Sequence, residues 1–261
     1  MARPTFDAAR FPFPHGEMGE WMALGGLSHR RIRAWLRSPH AEPRSIRVFD
    51  GDRQVAESSV TPAAAADWSA SVELDLPFGV ENRDLRVQSG ELERTFRAAP
   101  VEGEPRSFAF WLGSCHQPYD VTRSGEVRDS RRSGIYDAIR TKIDQHNASF
   151  GILLGDQMYA DEVPGLDIRE WANDESPRTP AAALDVYRHL YRGFLNHRGM
   201  RQLQEARPTF LIWDDHEIFN SWGSYLSVGD SDQMLFEAAS QAYREYQHAR
   251  NPGTAMDDPA P

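Results

Sequence analysis

The hydrophobic rhythm of the chain changes near residue 108. Between residues 20 and 98 alternation dominates. Ile32, Ala34 and Leu36 alternate with Arg31, Arg33 and Arg37, interrupted only by Trp35, and Val72, Leu74 and Leu76 alternate with Ser71, Glu73 and Asp75. A period of two predicts strands with one buried face. The run ending at Phe49 leads into Asp50-Gly51, and Leu85 and Val87 precede Ser89-Gly90 with Leu92 and Phe96 beyond it, so two hairpins are expected. Strands at this spacing predict a β-sandwich of immunoglobulin or fibronectin type over 20–98, serving either as a binding module or as a structural appendage. Residues 1–19, with Pro4, Pro12, Pro14, Gly16 and Gly19, read as an extended arm, and the proline- and charge-rich stretch 99–107 reads as a linker.

Beyond the linker, apolar runs at 108–112, 150–154 and 210–213 each stop abruptly at polar residues. The stops are Gly113-Ser114-Cys115-His116, Gly155-Asp156-Gln157-Met158-Tyr159 and Asp214-Asp215-His216-Glu217. Short apolar runs bounded in this way predict buried parallel strands. Helical spacing separates them: Ile135, Ile139 and Ile143 form one face, and Tyr187, Leu190, Tyr191, Phe194 and Leu195 another. After the last run, Asp230 with Gln233 is expected to cap a helix carrying Met234, Leu235, Ala238, Ala242 and Tyr246. Three repeats of strand, polar turn and helix predict a parallel sheet with covering helices over 108–250, followed by a tail at 251–261. Parallel strands bring their C-terminal ends to one edge, where open α/β sheets place their chemistry.

The third strand end carries three carboxylates and an imidazole. That much negative charge beside a buried strand is costly unless compensated, and a bound cation is the simplest compensation. The formal net charge of -10 argues against a nucleic-acid partner, which needs a basic face, but not against a phosphate substrate, because bound metal reverses the local field. Cys115 is the only cysteine, so no intramolecular disulfide forms; this leans toward a reducing compartment. The first residues carry no apolar signal core and no stretch is long enough to span a membrane, so a cytoplasmic protein without a membrane partner is expected. His15, His29, His40 and His248 read as solvated histidines.

Gly113-Ser114-Cys115, Gly155-Asp156 with Tyr159, and Trp213-Asp214-Asp215-His216-Glu217 with Asn220 and Trp222-Gly223 resemble the first three signature blocks of the PhoD-type alkaline phosphatases, within the calcineurin-like metallophosphatase superfamily. The order of a β module followed by this core also resembles the family's layout. The resemblance implies a dinuclear centre, iron(III) with calcium or another divalent ion. Asp156 would bridge the two ions, Cys115 and Tyr159 would bind the first, and Asp215 would bind the second. His216 would lie beside the reacting phosphate, with Asn220 and Glu217 supporting the ligands or touching substrate. Thiolate and phenolate suit iron(III), and carboxylates suit a hard divalent ion. The implied substrate is a small phosphate mono- or diester.

The sequence departs from that family in two ways. It carries no twin-arginine leader of the kind the family uses for export, and it lacks the downstream Gly-Asp-x-His block that completes the metal shell. The expectation is therefore the first (βα) half of a metallophosphatase core, C-terminally truncated, in need of a further segment for full activity. The alternative is a non-catalytic paralogue that binds a partner through its β-sandwich. A serine hydrolase is disfavoured, because no Gly-x-Ser-x-Gly elbow is present.

Overall fold

A computed structural model describes residues 7–104, 106–163, 165–174, 178–224 and 228–253. The expected arm and tail thus fall outside the described residues at 1–6 and 254–261. Seven antiparallel strands come first: β1 (Trp21–Gly25), β2 (Arg31–Arg37), β3 (Arg44–Asp50), β4 (Arg53–Val60), β5 (Ser69–Asp75), β6 (Asp84–Ser89) and β7 (Leu92–Arg97). They form one sheet of order β1-β2-β5 and another of order β4-β3-β6-β7. Both expected hairpins are present, closing at Asp50↔Arg53 and Ser89↔Leu92. Met22, Leu24, Ile32, Ala34 and Leu36 from the first sheet share a core with Ile46, Val48, Leu85, Val87 and Phe96 from the second.

Trp35, the residue that breaks the alternation of β2, has a structural reason to do so. The β1-β2-β5 sheet is covered on both faces. Trp21, Ala23 and Trp35 leave the sandwich core and join the core of the second unit. The Trp35 indole nitrogen donates to the Glu245 carbonyl at 2.7 Å, and the buried Arg250 guanidinium lies 4.5 Å from the Trp35 ring and 4.8 Å from the Trp21 ring. Arg33 and Arg37, expected outside, are buried. Arg37 Nη1 donates to the Met18 carbonyl at 2.7 Å, and Arg33 pairs with Glu73.

The second unit comprises β8 (Phe110–Gly113), β9 (Tyr119–Val121), β10 (Val127–Asp129), α1 (Gly134–Gln145), β11 (Phe150–Leu154), α2 (Ile168–Ala172), α3 (Pro180–Leu195), α4 (Arg198–Ala206), β12 (Thr209–Ile212) and α5 (Asp230–Tyr246). The strands of the three apolar runs lie side by side in the order β12-β11-β8, all parallel, with Leu153 opposite Gly113 on one side and Leu211 on the other. Trp111, Gly151, Leu153 and Leu211 face the helices and are buried. On the opposite face, which no helix among the described residues covers, Phe110, Leu112, Leu154 and Ile212 are exposed.

The helical faces hold with local corrections. In α3 all five predicted residues are buried. In α1, Ile143 and Tyr136 are buried while Ile135 is exposed, so the buried stripe is rotated from the isoleucine line. The N-cap of α5 is Gly229, whose N–H donates to the Asp232 carboxylate at 3.3 Å; Asp230, expected as the cap, is the first helical residue. The described part of the arm is docked. Phe11, Phe13 and Met18 are buried, and the Phe13 ring occupies the space a β-carbon on Gly193 would need.

Candidate functional site

The loops leaving β8, β11 and β12 meet at one edge of the parallel sheet. Gly155 opens the middle loop at φ +87°, and a β-carbon there would sit 2.4 Å from the Asp214 β-carbon. Only glycine meets both the left-handed backbone and that close approach. Asp156 and Cys115, two of the predicted ligands, also hold positive φ, at 57° and 54°. Aspartate tolerates this conformation readily, but for cysteine it costs roughly 1 kcal/mol, strain of the kind that accumulates at functional sites.

Glu217 ties two of these loops together. Its fully buried carboxylate accepts from the backbone N–H groups of Asp156, Gln157 and Asp214 at 2.9, 2.7 and 3.0 Å, and from Gln247 Nε2 at 3.2 Å. Burial pushes its pKa up to about 7 against the pull of these donors. Its oxygens are committed to this network, so Glu217 supports the loops and does not line the cluster.

Asp156, Asp215 and His216 converge, with one ligand atom from each lying within 4.8 Å of the others. Asp156 Oδ1 is buried and has no hydrogen-bond partner among the described residues. Burial chiefly raises the Asp156 pKa, and the neighbouring Asp214 and Asp215 charges add to it, while the Cys115 thiol and His216 pull it down. Asp215 Oδ2 accepts from the Ser221 N–H, which fixes that carboxylate. His216 Nδ1 lies 2.8 Å from Asp161 Oδ1, and the other Asp161 oxygen accepts from the Asn220 N–H. Burial alone would lower the His216 pKa; the Asp161 hydrogen bond and charge, with Asp156 and Glu162 nearby, lift it to about 9.

Cys115 and Tyr159 flank the trio. The thiol is exposed; a Ser114 hydrogen bond favours its thiolate, but the hydrogen bond to Asp156, burial and the Asp156 and Asp214 charges together raise its pKa. The buried Tyr159 ring packs 4.6 Å from the His216 ring, and burial, then Asp156, Cys115, Glu162 and Glu217, hold its hydroxyl protonated. Asn220 stands apart: its side-chain oxygen accepts from Ser221 Oγ at 3.2 Å and the residue is exposed. Asp161 and Glu162 are the residues sequence reasoning missed. Their only signal is position, two and three residues past Tyr159, where an acidic pair in a loop looks merely solvated.

A cavity of about 170 Å³ adjoins the cluster, lined in part by Ser114, His116, Asp156 and Gln157. A larger one, about 740 Å³, lies against Phe108, Phe150 and Phe210 beneath the bare sheet face. Its described lining includes no acidic side chain, so the smaller cavity is the one with chemistry beside it. Among the described residues no helix is long and apolar enough to cross a membrane.

A parallel sheet that gathers carboxylates and a histidine at its strand ends, behind an antiparallel β unit, defines a mixed β and α/β protein with a strand-end site. The sequence model of the PhoD-like phosphatases matches residues 110–259. The chain belongs to the PhoD-like phosphatase family. A solved structure of PhoD is similar at 19% identity with a TM-score of 0.62 over 94% of this chain, which shows a shared fold. The match covers 47% of the PhoD chain, so this chain spans about half the length of the structure it resembles. An FMN-binding β-glucuronidase from Faecalibacterium prausnitzii L2-6 aligns over 90% of this chain and 39% of its own at 9% identity, but its TM-score of 0.35 supports no comparison of folds. No curated protein matches.

Proposed function

We propose that the strand-end cluster is the metal-binding half of a phosphoric ester hydrolase acting on small mono- or diesters. The observation that carries this reading is the convergence of Asp156, Asp215 and His216 around a buried carboxylate oxygen with no partner. An orphaned acceptor among like charges is unstable by itself and fits a cation. Asp156 would bridge two ions, Cys115 and Tyr159 would hold iron(III), and Asp215 would hold calcium or another divalent ion. When bound, such a pair polarises phosphoryl oxygens and makes a hydroxide nucleophile available at neutral pH. Asp161 grips His216 at Nδ1, and Nε2, 3.4 Å from the half-exposed Glu162 Oε1, is the nitrogen that would pass a proton to the departing ester oxygen. In the finer reading of the fold, the sandwich at 20–98 is of immunoglobulin or fibronectin type, 99–107 links it to the rest, and 108–250 is the first half of a metallophosphatase core.

The test is phosphate release by the metal-loaded full chain from aryl and alkyl phosphate esters. His216→Gln is expected to slow the alkyl ester by about 100-fold or more, because its leaving oxygen needs a proton, and to slow the nitrophenyl ester much less. Equal losses on both esters would remove His216 from that role. A chain that binds metal but releases no phosphate from either ester would overturn the hydrolase reading.

A further inference from the structure

A second cluster of metal-binding side chains lies away from the strand ends and shares no residue with them. His15 on the docked arm, Asp129 at the end of β10 and His197 in the turn between α3 and α4 bring one ligand atom each within 4.8 Å of the others. His15 Nε2 lies 2.7 Å from Asp129 Oδ1, and His197 Nε2 lies 3.5 Å from the same oxygen. We propose that His15, Asp129 and His197 form a site for a zinc-class divalent ion that fastens the N-terminal arm to the α/β unit.

The independent support is His197 itself. Its side chain is only 3% exposed, and neither ring nitrogen has a hydrogen-bond partner among the described residues. A buried imidazole with both nitrogens unpaired forfeits its hydration without return. The neighbours cannot repair this. The Tyr119 hydroxyl donates to the Gly193 carbonyl, and the Tyr136 hydroxyl is engaged with His116 Nδ1. An ion at Nε2 would satisfy the nitrogen that faces Asp129. Two imidazoles and one carboxylate are the donor set of zinc, cobalt(II) and nickel(II) rather than calcium. The spacing is close to that need: neighbouring ligands of a tetrahedral zinc ion lie about 3.3 Å apart. The His197–Asp129 separation meets this already, and the His15–Asp129 pair, at 2.7 Å, must open by about 0.6 Å. Asp129 is exposed and His15 half-buried, which gives an ion a way in and leaves room for water as the remaining ligand. Such an ion would link three segments far apart in sequence, so its binding energy would stabilise the fold.

Zinc and cobalt(II) titrations of the chelator-stripped full chain test this, followed by calorimetry, cobalt absorption and thermal unfolding. The wild type and Asp156→Asn are both expected to bind one ion at this site and to melt at a higher temperature with zinc. His15→Gln and His197→Gln should weaken that binding at least tenfold, the lower end of what losing even an outer-shell partner costs, and lose the zinc-dependent shift in Tm. His15 is half-buried, so His15→Gln tests the site without excavating the core, and its fold is checked by circular dichroism. Unchanged zinc isotherms and unchanged Tm shifts in both histidine variants would overturn the proposal. Loss of all zinc binding in Asp156→Asn would also overturn it, because the ion would then belong to the strand-end cluster. Neither result depends on whether the chain hydrolyses phosphate esters.

Discussion

The two units of this molecule use polar side chains in opposite ways. In the β unit, buried charge serves cohesion. Arg37 donates to the Met18 carbonyl and Arg33 pairs with Glu73, while Arg250, from the second unit, reaches back over the rings of Trp21 and Trp35. In the α/β unit, the strand ends hold like charges close together, an orphaned Asp156 oxygen and a cysteine with left-handed backbone. The sheets differ in parallel. The β1-β2-β5 sheet is covered on both sides, whereas β12-β11-β8 is covered by helices on one side and bare on the other. Parallel sheets are ordinarily buried on both faces, so the second unit carries more unmet apolar surface. The two cores meet at Trp35, and the candidate site lies at the strand ends, away from that junction.

The largest effect expected from this contrast is at the shared sheet. Trp35→Ala removes a ring that belongs to the second core and orphans the Glu245 carbonyl, and should cost about 3–5 kcal/mol in denaturant unfolding. A cost below about 1 kcal/mol would show that the two cores are not coupled through β2.

A smaller effect is expected at the strand ends, and it depends on pH. The His216 pKa is raised from its ordinary value to about 9, so its contribution is fully present below about pH 6.5 and is lost as pH rises through 9. In the metal-stripped chain that loss should reach at most about 3 kcal/mol. Asp161→Asn should flatten the decline between about pH 6.5 and 9, followed by urea unfolding at each pH. Glu217, raised to about 7, loses its share at lower pH, between its ordinary value and 7, and so leaves the upper part of that window to His216. An unchanged slope in Asp161→Asn would remove Asp161 from the account of His216.

The smallest effect is expected on the bare face. Leu112→Asn should change stability by less than about 0.5 kcal/mol, whereas Leu153→Ala on the helix side of the neighbouring strand should cost about 2–5 kcal/mol. Equal costs would mean that the face is not bare in solution. Light scattering before and after Leu112→Asn would show whether it drives self-association.

The parallel unit was legible because its signals are coarse. An apolar run that ends at a polar cluster marks both a strand and the edge where candidate ligands sit, and Asp156, Asp215 and His216 followed from two such edges. The two hairpins were legible for a similar reason, since Asp50-Gly51 and Ser89-Gly90 mark turns by their own backbone preferences. What stayed hidden depends on contacts distant in sequence. Trp35 looks like a flaw in an alternating strand until a second core is placed behind it. His15 and His248, read as solvated, are packed; His15 bonds to Asp129 and His248 is buried against Tyr243. The role of Asp161 is set by where its loop meets the loop after β12, and no local pattern encodes that meeting. The short β9–β10 hairpin and the brief α2 and α4 helices were likewise too short for periodicity to reveal.

The central claim is that the three strand ends place Cys115, Asp156, Tyr159, Asp215 and His216 around one ion-binding site. It is tested most directly by iron content and visible absorption of the purified full chain beside Tyr159→Phe and Asp156→Asn. Bound iron with a tyrosinate charge-transfer band that disappears in Tyr159→Phe, together with loss of iron in Asp156→Asn, is the expected result. A band that survives Tyr159→Phe, or iron retained in full by Asp156→Asn, would contradict it.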